Sequence, residues 1–182
     1  MVYDHLADGF EEVEALTIVD VLRRAGVDVE TVSMMEDSIV TGAHGINVEA
    51  DIIYEETDYT ACEMIVLPGG GLGAENLEAH QGLAKHIKCF ADNGKLLAAI
   101  CAAPMVFGTH GVIKGKKATI YPSMEDKLTG AEATGENVTV DGNVITGKGP
   151  ATAMEFALTL AEILKGKETA DEVAEGLLYS RA

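Results

Sequence analysis

The sequence predicts an α/β fold in which a mostly parallel central sheet carries helices on both faces. Short apolar runs rich in β-branched residues alternate along the chain with longer stretches of helical period, which is the pattern of repeated βαβ units. The 182 residues contain no internal repeat, linker or composition shift, so we expect residues 1–182 to form one domain. With 47% hydrophobic and 24% charged residues, the chain has the composition of a packed globular protein.

Six apolar runs are the candidate strands. They are Val2–Ala7, Val27–Ser33, Met64–Leu67, Leu96–Ile100, Ala118–Tyr121 and Val144–Thr146. Asp4 and His5 interrupt the first run, although a strand buried on both faces should be continuously apolar. Because burying an unpaired charge is costly, we expect this strand to begin late and both side chains to lie at a solvated end. A buried hydrogen-bonded pair of Asp4 and His5 is the alternative.

Three stretches have the apolar spacing of helices. The first, Glu11–Ala25, ends at the stop signal Gly26 and predicts a crossover helix between the first two strands. The others are Leu83–Asn93, and Ala151–Leu164 after the breaker pair Gly149–Pro150.

Two further segments predict hairpins. Ile39–Tyr54 is irregularly apolar and contains two glycines, which favours a small hairpin or an excursion at the edge of the sheet. The pair Asp141–Gly142 separates Val138–Val140 from Val144–Thr146, which is typical of a tight hairpin turn.

The charge balance and the cysteine spacing exclude several classes of protein. Thirteen Lys and Arg against 30 Asp and Glu give a net charge of −17, which repels phosphate backbones and anionic membranes, so we expect neither nucleic acid nor membrane as a partner. No apolar run reaches the roughly 18 residues of a membrane span, and no basic region followed by an apolar stretch opens the chain, so we expect a cytoplasmic protein. The three cysteines lack the spacing of a zinc site or a disulfide framework, so at least one thiol is free and no metal is expected.

Cys101 is the strongest candidate for chemistry. It directly follows the apolar run Leu96–Ile100, lies among small residues and precedes a helical stretch, as the nucleophile does in the sharp strand-to-helix turn of several α/β enzymes. A thiol at such a turn meets the positive end of a helix dipole, so we expect its pKa to lie well below that of a free cysteine. The alternative is a small buried core thiol, which is the interpretation we give to Cys62 and Cys89.

Two other segments are expected at the same carboxyl edge of the sheet. Leu67–Gly73 is rich in glycine, which lets backbone N–H groups approach an anion closely and favours an oxyanion hole. It lacks the Lys-Ser/Thr ending of a nucleotide P-loop. Glu11, Glu12 and Glu14 open the first helix, where carboxylates are most often surface charges stabilised by the helix dipole.

Taken together, these segments resemble the ThiJ/PfpI superfamily, and within it the branch of the parkinsonism-associated protein DJ-1 and its bacterial relatives. The matching segments cover nearly the whole chain in order and spacing. They are Ala7–Glu14, Val19–Gly26, Leu67–Gly70, Ala98–Pro104 and Gly147–Ala153.

The resemblance implies a flavodoxin-like three-layer sandwich and a homodimer whose site lies near the subunit boundary. It also implies that Cys101 is the reactive nucleophile, that Glu14 is its partner carboxyl, and that Gly70 and Ala102 supply the backbone donors around it. Arg24 matches an arginine that, in the relatives, reaches toward the pocket of the neighbouring subunit.

The chain also departs from its relatives at three positions. Ala102 stands where the protease-like PfpI branch has histidine, which disfavours peptidase chemistry. Tyr121 precedes Pro122 where the DJ-1 branch often has a histidine, and His44 stands where an arginine is usual. The resemblance implies that Arg24, His44 and Tyr121 are candidate substrate-binding residues, and we expect the replacements at 44 and 121 to alter anion recognition.

The pairing of Cys101 with Glu14 has a physical consequence that does not depend on the resemblance. A carboxylate beside a thiolate is a like-charge pair, so one of the two should keep its proton and their titrations are coupled. If Glu14 keeps the proton, its hydrogen bond stabilises the sulfur anion by about 1.5–3 kcal/mol.

The sequence therefore supports two hypotheses of function. The first is a cysteine-dependent enzyme that acts on small reactive carbonyl or acyl compounds, glyoxalase- or deglycase-like, without a metal or organic cofactor. The second is a redox-sensing stress protein or chaperone in which Cys101 is oxidised to sulfinic acid. An intracellular peptidase of the PfpI type is a third, disfavoured possibility.

Overall fold

The structure, a computed structural model, describes residues 1–181. The strands in chain order are β1 Val2–Leu6, β2 Val29–Ser33, β3 Ile39–Thr41, β4 Asn47–Glu49, β5 Ile52–Ile53, β6 Met64–Leu67, β7 Leu96–Ile100, β8 Lys117–Ala118, β9 Glu132–Ala133, β10 Val138–Asp141 and β11 Val144–Gly147. The α-helices are α1 Glu12–Arg24, α2 Gly71–Ala79, α3 Gln81–Asp92, α4 Pro104–Thr109, α5 Ala153–Lys165 and α6 Lys167–Gly176.

Seven strands form the central sheet in the order β10-β11-β7-β6-β1-β2-β5. Every neighbouring pair is parallel except β10 and β11, which form the antiparallel hairpin expected around Asp141–Gly142. Because parallel strands end at the same edge, the residues after β1, β6 and β7 come together there. This edge holds all three segments that the sequence singles out.

Helices cover both faces of the sheet. Buried side chains of α1, α5 and α6 pack on one face, and those of α2, α3 and α4 pack on the other. The central strands alternate between the two cores: in β7, Leu97 and Ala99 face one core, and Ala98 and Ile100 face the other. The predicted fold class, a mostly parallel sheet with helices on both faces, is confirmed.

Several elements differ from the prediction. The predicted strand Ala118–Tyr121 is wrong: β8 contains only Lys117–Ala118 and pairs with β9 in a separate two-stranded sheet. Beyond it, the N–H of Thr119 donates to the hydroxyl of Thr146, and that of Tyr121 to the carbonyl of Cys101, so the chain leaves strand pairing. The segment Ile39–Tyr54 forms both the hairpin β3–β4 and the edge strand β5.

Asp4 and His5 correct the expectation for the first strand. The strand begins at Val2 and both side chains are fully buried. The ring of His5 hydrogen-bonds the carbonyl of Val66 at 3.1 Å and the hydroxyl of Tyr59 at 2.7 Å. The carboxyl oxygens of Asp4 have no hydrogen-bond partner within residues 1–181, so the alternative of a mutual pair is also wrong.

Among residues 1–181, no helix combines the length and the apolar character needed to cross a bilayer.

Candidate active site

Cys101 occupies the bend between β7 and α4. Its φ of +62° lies in the left-handed region, which is costly for a residue with a side chain. Two backbone hydrogen bonds hold this conformation: the N–H of Cys101 donates to Gly147 at 3.0 Å, and its carbonyl accepts from Tyr121 at 2.9 Å. Because the residue is 8% exposed, the thiol lies just below the surface.

Gly69 and Gly70 pack directly against this bend. A Cβ atom on Gly69 would lie 2.5 Å both from the Cβ of Cys101 and from Oε2 of Glu14. Gly70 has a φ of +91°, and a Cβ there would lie 2.1 Å from the carbonyl oxygen of Gly9. The absence of side chains at both positions therefore lets α1, β6 and β7 approach each other at the thiol.

Glu14 lies in the first turn of α1 and is fully buried. Its Oε2 accepts a hydrogen bond of 2.8 Å from the N–H of Gly69, and its carboxyl is close enough to the Cys101 thiol for each group to shift the pKa of the other. Within the described chain, Oε1 of Glu14 has no hydrogen-bond partner. The structure thus brings together Cys101 and Glu14, the two side chains that the family resemblance pairs.

The two groups influence each other's titration. Burial raises the pKa of the Glu14 carboxyl to about 7, against the lowering effect of the Gly69 N–H and the thiol. Burial also raises the pKa of the Cys101 thiol, and the charge of Glu14 raises it further, to about 12. The pair therefore loses one proton near neutral pH and keeps the second into alkaline solution. A thiol that faces an ionised Glu14 therefore has a raised pKa, opposite to the expected lowering, and a thiolate near neutral pH requires that Glu14 keep the proton.

The backbone N–H groups of Gly70 and Ala102 lower the pKa of the Cys101 thiol. The resemblance implies the same two residues as donors around the nucleophile. A backbone amide beside the sulfur stabilises a thiolate, and a protonated Glu14 carboxyl would add to that stabilisation.

Glu11 and Glu12 are not the surface charges that the sequence suggests, because both are buried. Oε2 of Glu11 accepts from the N–H of Glu14 at 2.9 Å and caps α1. Oε1 of Glu12 accepts from the N–H of His44 at 2.7 Å, and its Oε2 contacts Nδ1 of His44 at 2.7 Å. Glu12 therefore fastens the turn of the β3–β4 hairpin to α1, and this contact raises the pKa of His44.

Arg24 and Tyr121, the other proposed substrate-binding residues, lie differently. Arg24 is at the far end of α1, about 15 Å along the helix from Glu14, and its Nε pairs with Asp20 at 2.7 Å. Within this chain it is not part of the site. Tyr121 is joined to Cys101 through its backbone, and its half-exposed side chain lies over Gly149.

The remaining cysteines are separate from the site. Cys62 is buried in the core of the α3 face, and Cys89 is exposed on α3. All three thiols are free. The donor atoms of Glu11, Glu12 and His44 lie within 4.8 Å of one another, but the contact of His44 with Glu12 accounts for this grouping without a metal ion.

Sequence reasoning assigned no role to two residues of the site. Gly69 donates to Glu14 and leaves room for the thiol, whereas the sequence analysis favoured its neighbour Gly70. Glu11 caps the helix that carries Glu14. Glutamate is not among the residues that commonly cap helices, so the sequence carried no clear signal for this role.

Comparison with known proteins gives a consistent result. Residues 2–163 match the family described as "DJ-1/PfpI family". The chain is 43% identical to "Protein DJ-1 homolog B" of Arabidopsis thaliana over 95% of its own length, but it spans 40% of that longer protein. It is 31% identical to "Glutathione-independent glyoxalase DJR-1.2" of Caenorhabditis elegans, covering 94% of this chain and 91% of that one. Among solved structures, oxidized DJ-1 of Toxoplasma gondii superposes with a TM-score of 0.95 at 38% identity, covering 99% of this chain and 98% of the other.

Proposed function

Because the chain belongs to the DJ-1/PfpI family, we propose that it is a cysteine-dependent enzyme that converts small reactive carbonyl compounds, with a glyoxalase-type reaction on 2-oxoaldehydes. One observation supports this most strongly: a strained cysteine lies against a buried carboxyl whose pKa is about 7 and against two backbone donors. A relative of similar length bears the name of a glutathione-independent glyoxalase.

The reactive form of the site is the one in which Glu14 holds the proton and Cys101 is the thiolate. The Gly70 and Ala102 amides and the protonated carboxyl stabilise that thiolate. The position of Cys101 at a strand-to-helix bend, the geometry of a nucleophile elbow, projects the sulfur toward the carboxyl edge of the sheet. The nucleophile therefore needs no histidine.

In the first step, the thiolate of Cys101 adds to the aldehyde carbon of methylglyoxal. A carbon–sulfur bond forms, and the carbonyl electron pair moves to oxygen, which takes the proton of Glu14. The product is a hemithioacetal. Glu14, now ionised, is in position to accept the next proton.

In the second step, the hydrogen on the former aldehyde carbon leaves as a proton to Glu14 and is returned to the neighbouring ketone carbon. The hydroxyl proton of the hemithioacetal passes to the former ketone oxygen, so the first oxygen becomes a carbonyl and the second a hydroxyl. The first carbon is thereby oxidised to a thioester and the second is reduced to an alcohol, so no external oxidant is needed. Water then hydrolyses the thioester, releases lactate and restores the thiol. Once the carbon–sulfur bond has formed, the Gly70 and Ala102 amides no longer face a thiolate and stabilise the developing oxyanion instead.

A redox-sensing role is the second candidate, and the same donors favour it. A thiolate 8% exposed is accessible to peroxide, and a protonated Glu14 would hydrogen-bond a sulfinate oxygen. Peptidase activity has no such support. Within residues 1–181, no histidine hydrogen-bonds Cys101, and the following position is Ala102.

We further propose a homodimer with its contact on α1. Val13 and Leu16 are 54% and 42% exposed, and they share one stripe of the helix with Arg24. In such a dimer, Arg24 of one copy would approach the site of the other. His44 and Tyr121, at the turn beside α1 and at the bend of Cys101, are the substrate-contacting residues of this proposal.

Turnover separates the enzyme from the sensor. The purified protein should form lactate from methylglyoxal without glutathione, and Cys101→Ala should be inactive while Cys89→Ser keeps full activity. Absent turnover, together with a mass gain of two oxygens on Cys101 under mild peroxide, would overturn the enzyme hypothesis in favour of the sensor.

A further inference from the structure

The side chains around Cys101 are acidic, and no lysine or arginine in the described chain is paired with them. Glu14 contacts the thiol, and Glu11 lies next to Glu14. Within residues 1–181, no lysine or arginine side chain hydrogen-bonds or ion-pairs with Cys101, Glu11 or Glu14. An approaching electrophile therefore meets negative charge that the chain itself does not compensate.

Glu11 is fixed in this position by three hydrogen bonds. Its Oε2 accepts from the N–H of Glu14 at 2.9 Å, its backbone N–H donates to the carbonyl of Gly69 at 3.0 Å, and its carbonyl accepts from Ala15. Gly69 packs against both Glu14 and Cys101. Glu11 thus contacts both Glu14 and Gly69 beside the reactive pair, and its charge raises the pKa of Glu14.

His44 does not offset this charge. Its imidazole contacts Glu12 at 2.7 Å and Glu11 at 3.8 Å. Even a protonated His44 is therefore matched by Glu12, and the charge of Glu11 remains. Arg24 is likewise paired with Asp20 at 2.7 Å, so a second copy that brought Arg24 to this site would bring its carboxylate as well.

We propose that Glu11 is a specificity-determining residue: its charge makes Cys101 select uncharged electrophiles and discriminate against those that carry a carboxylate or a phosphate. For substrates, this inference rests on the proposed function and restricts it to neutral oxoaldehydes and ketones. As a statement about the reactivity of the thiol, it requires no turnover.

The backbone donors do not reverse this selection. The N–H groups of Gly70 and Ala102, which would attract an anion, already act on the thiol and lower its pKa. They are occupied by the thiolate in the reactive form. A second anion would meet the thiolate and Glu11 at once, and a unit charge at this range changes the rate of encounter by about threefold to tenfold.

The test compares two alkylating reagents that differ in charge. Iodoacetamide is neutral and iodoacetate is anionic, and the same thiolate attacks the methylene carbon of each and displaces iodide. The ratio of their rates at Cys101, measured by peptide mass spectrometry in a Cys89→Ser background, is divided by the same ratio for 2-mercaptoethanol. The fraction of thiolate cancels in this quotient, so a change in the titration of Glu14 does not affect it.

We expect the normalised preference for iodoacetamide to be about threefold to tenfold at low salt and to shrink in 0.5 M NaCl, because salt screens partly exposed charges. Glu11→Gln, which retains an oxygen to cap α1, should remove most of this preference. Glu63→Gln is the matched control, because Glu63 lies at the opposite edge of the sheet beside the N-terminus and is 58% exposed at its side chain. It should leave the preference unchanged.

The inference would be overturned if the normalised ratio of the two rates were one in the wild type. It would also be overturned if Glu11→Gln had the same normalised ratio as the wild type. If Arg24→Gln raised the preference for iodoacetamide, a cation from a second copy would be acting in the site. The charge selection would then not be determined by Glu11. Charge selection without lactate formation would contradict the proposed function and leave this inference standing. Lactate formation without charge selection would contradict this inference and leave the proposed function standing.

Discussion

Gly69 has no room for a side chain, because an added Cβ would lie 2.5 Å from both Cys101 and Glu14. Gly69→Ala should therefore push the pair apart, lower the alkylation rate of Cys101 at pH 7 by at least tenfold, and destabilise the fold by about 1–3 kcal/mol. Alkylation kinetics and urea unfolding measure the two effects. Gly71→Ala is the control, since a Cβ at Gly71 would contact nothing within 4 Å; equal effects at both positions would contradict the packing argument.

Glu14 links the stability of the fold to pH. Burial raises the pKa of its carboxyl from 4.5 to about 7, so the folded state binds the proton more tightly than the unfolded state. This contribution to stability is fully present below about pH 4.5 and is lost as the pH rises through about 7. The loss amounts to about 3 kcal/mol at pH 8.5.

Glu14→Gln cannot ionise, so it should be more stable than the wild type at pH 8.5 by about that amount and should approach wild-type stability at pH 4.5. Urea unfolding at the two pH values measures this. Glu63→Gln, an exposed acid, should show no such crossover. A wild-type protein that gains stability on Glu14 ionisation would contradict the burial account.

The sequence identifies some residues of the site and not others. Cys101 could be found because it directly follows the apolar run Leu96–Ile100, and Glu14 could be found because the family resemblance pairs it with that cysteine. The structure brings the two side chains together. The burial of Glu12 could not be found, because it depends on His44, 32 residues away, in a hairpin that packs on the start of α1. Local spacing carries no information about such a contact.

At the scale of secondary-structure elements, the spacing of apolar residues in the sequence predicted the strands that carry the site. It failed for Ala118–Tyr121, where backbone hydrogen bonds to Thr146 and Cys101 replace strand pairing. It also gave no helix over α2, which opens with Gly71 and Gly73, or over α6, where charged residues dominate. Propensity is weak in both segments, and tertiary packing supplies the rest.

The strand β1 contains a polar residue that its packing does not require. Asp4 is fully buried and without a hydrogen-bond partner in the described chain, and burial raises the pKa of its carboxyl well above 3.8. Its in-register neighbours are Val66 on β6 and Thr31 on β2. A valine at position 4 would fit the same apolar layer.

Asp4→Val should therefore stabilise the protein by about 1–3 kcal/mol at pH 7. The gain should grow as the pH rises from about 4, because the raised pKa makes the folded wild type lose stability through that range. Thermal and urea unfolding measure it, and Asp28→Val, at an exposed position, is the control. A destabilised Asp4→Val would show that the carboxyl has a partner that its surroundings do not reveal.

For the whole molecule, the parallel order of β7, β6 and β1 explains why segments around positions 14, 69 and 101 meet. Each follows or flanks the carboxyl end of a central strand, so the site is a consequence of topology. This much follows from the βαβ pattern. The charge around the site does not, because it depends on which acids the hairpin and α1 bury together.

The proposed dimer has a direct test at this scale. Val13→Glu places a charge in the exposed apolar stripe of α1 and should weaken self-association by at least tenfold in analytical ultracentrifugation. Val140→Glu is the control, because Val140 is similarly exposed but lies on the edge strand β10. Equal sedimentation of wild type and both variants would place the contact elsewhere or remove it.

The pH dependence of Cys101 alkylation tests most directly whether Glu14 and Cys101 share one proton near neutrality. In the wild type, the rate with iodoacetamide should rise with a midpoint close to pH 7 and then reach a plateau that extends past pH 9. In Glu14→Gln the step near pH 7 should vanish, leaving a single thiol titration at higher pH. A wild-type rate that follows the titration of a free thiol, about 8.5, with the same profile in Glu14→Gln, would contradict the account.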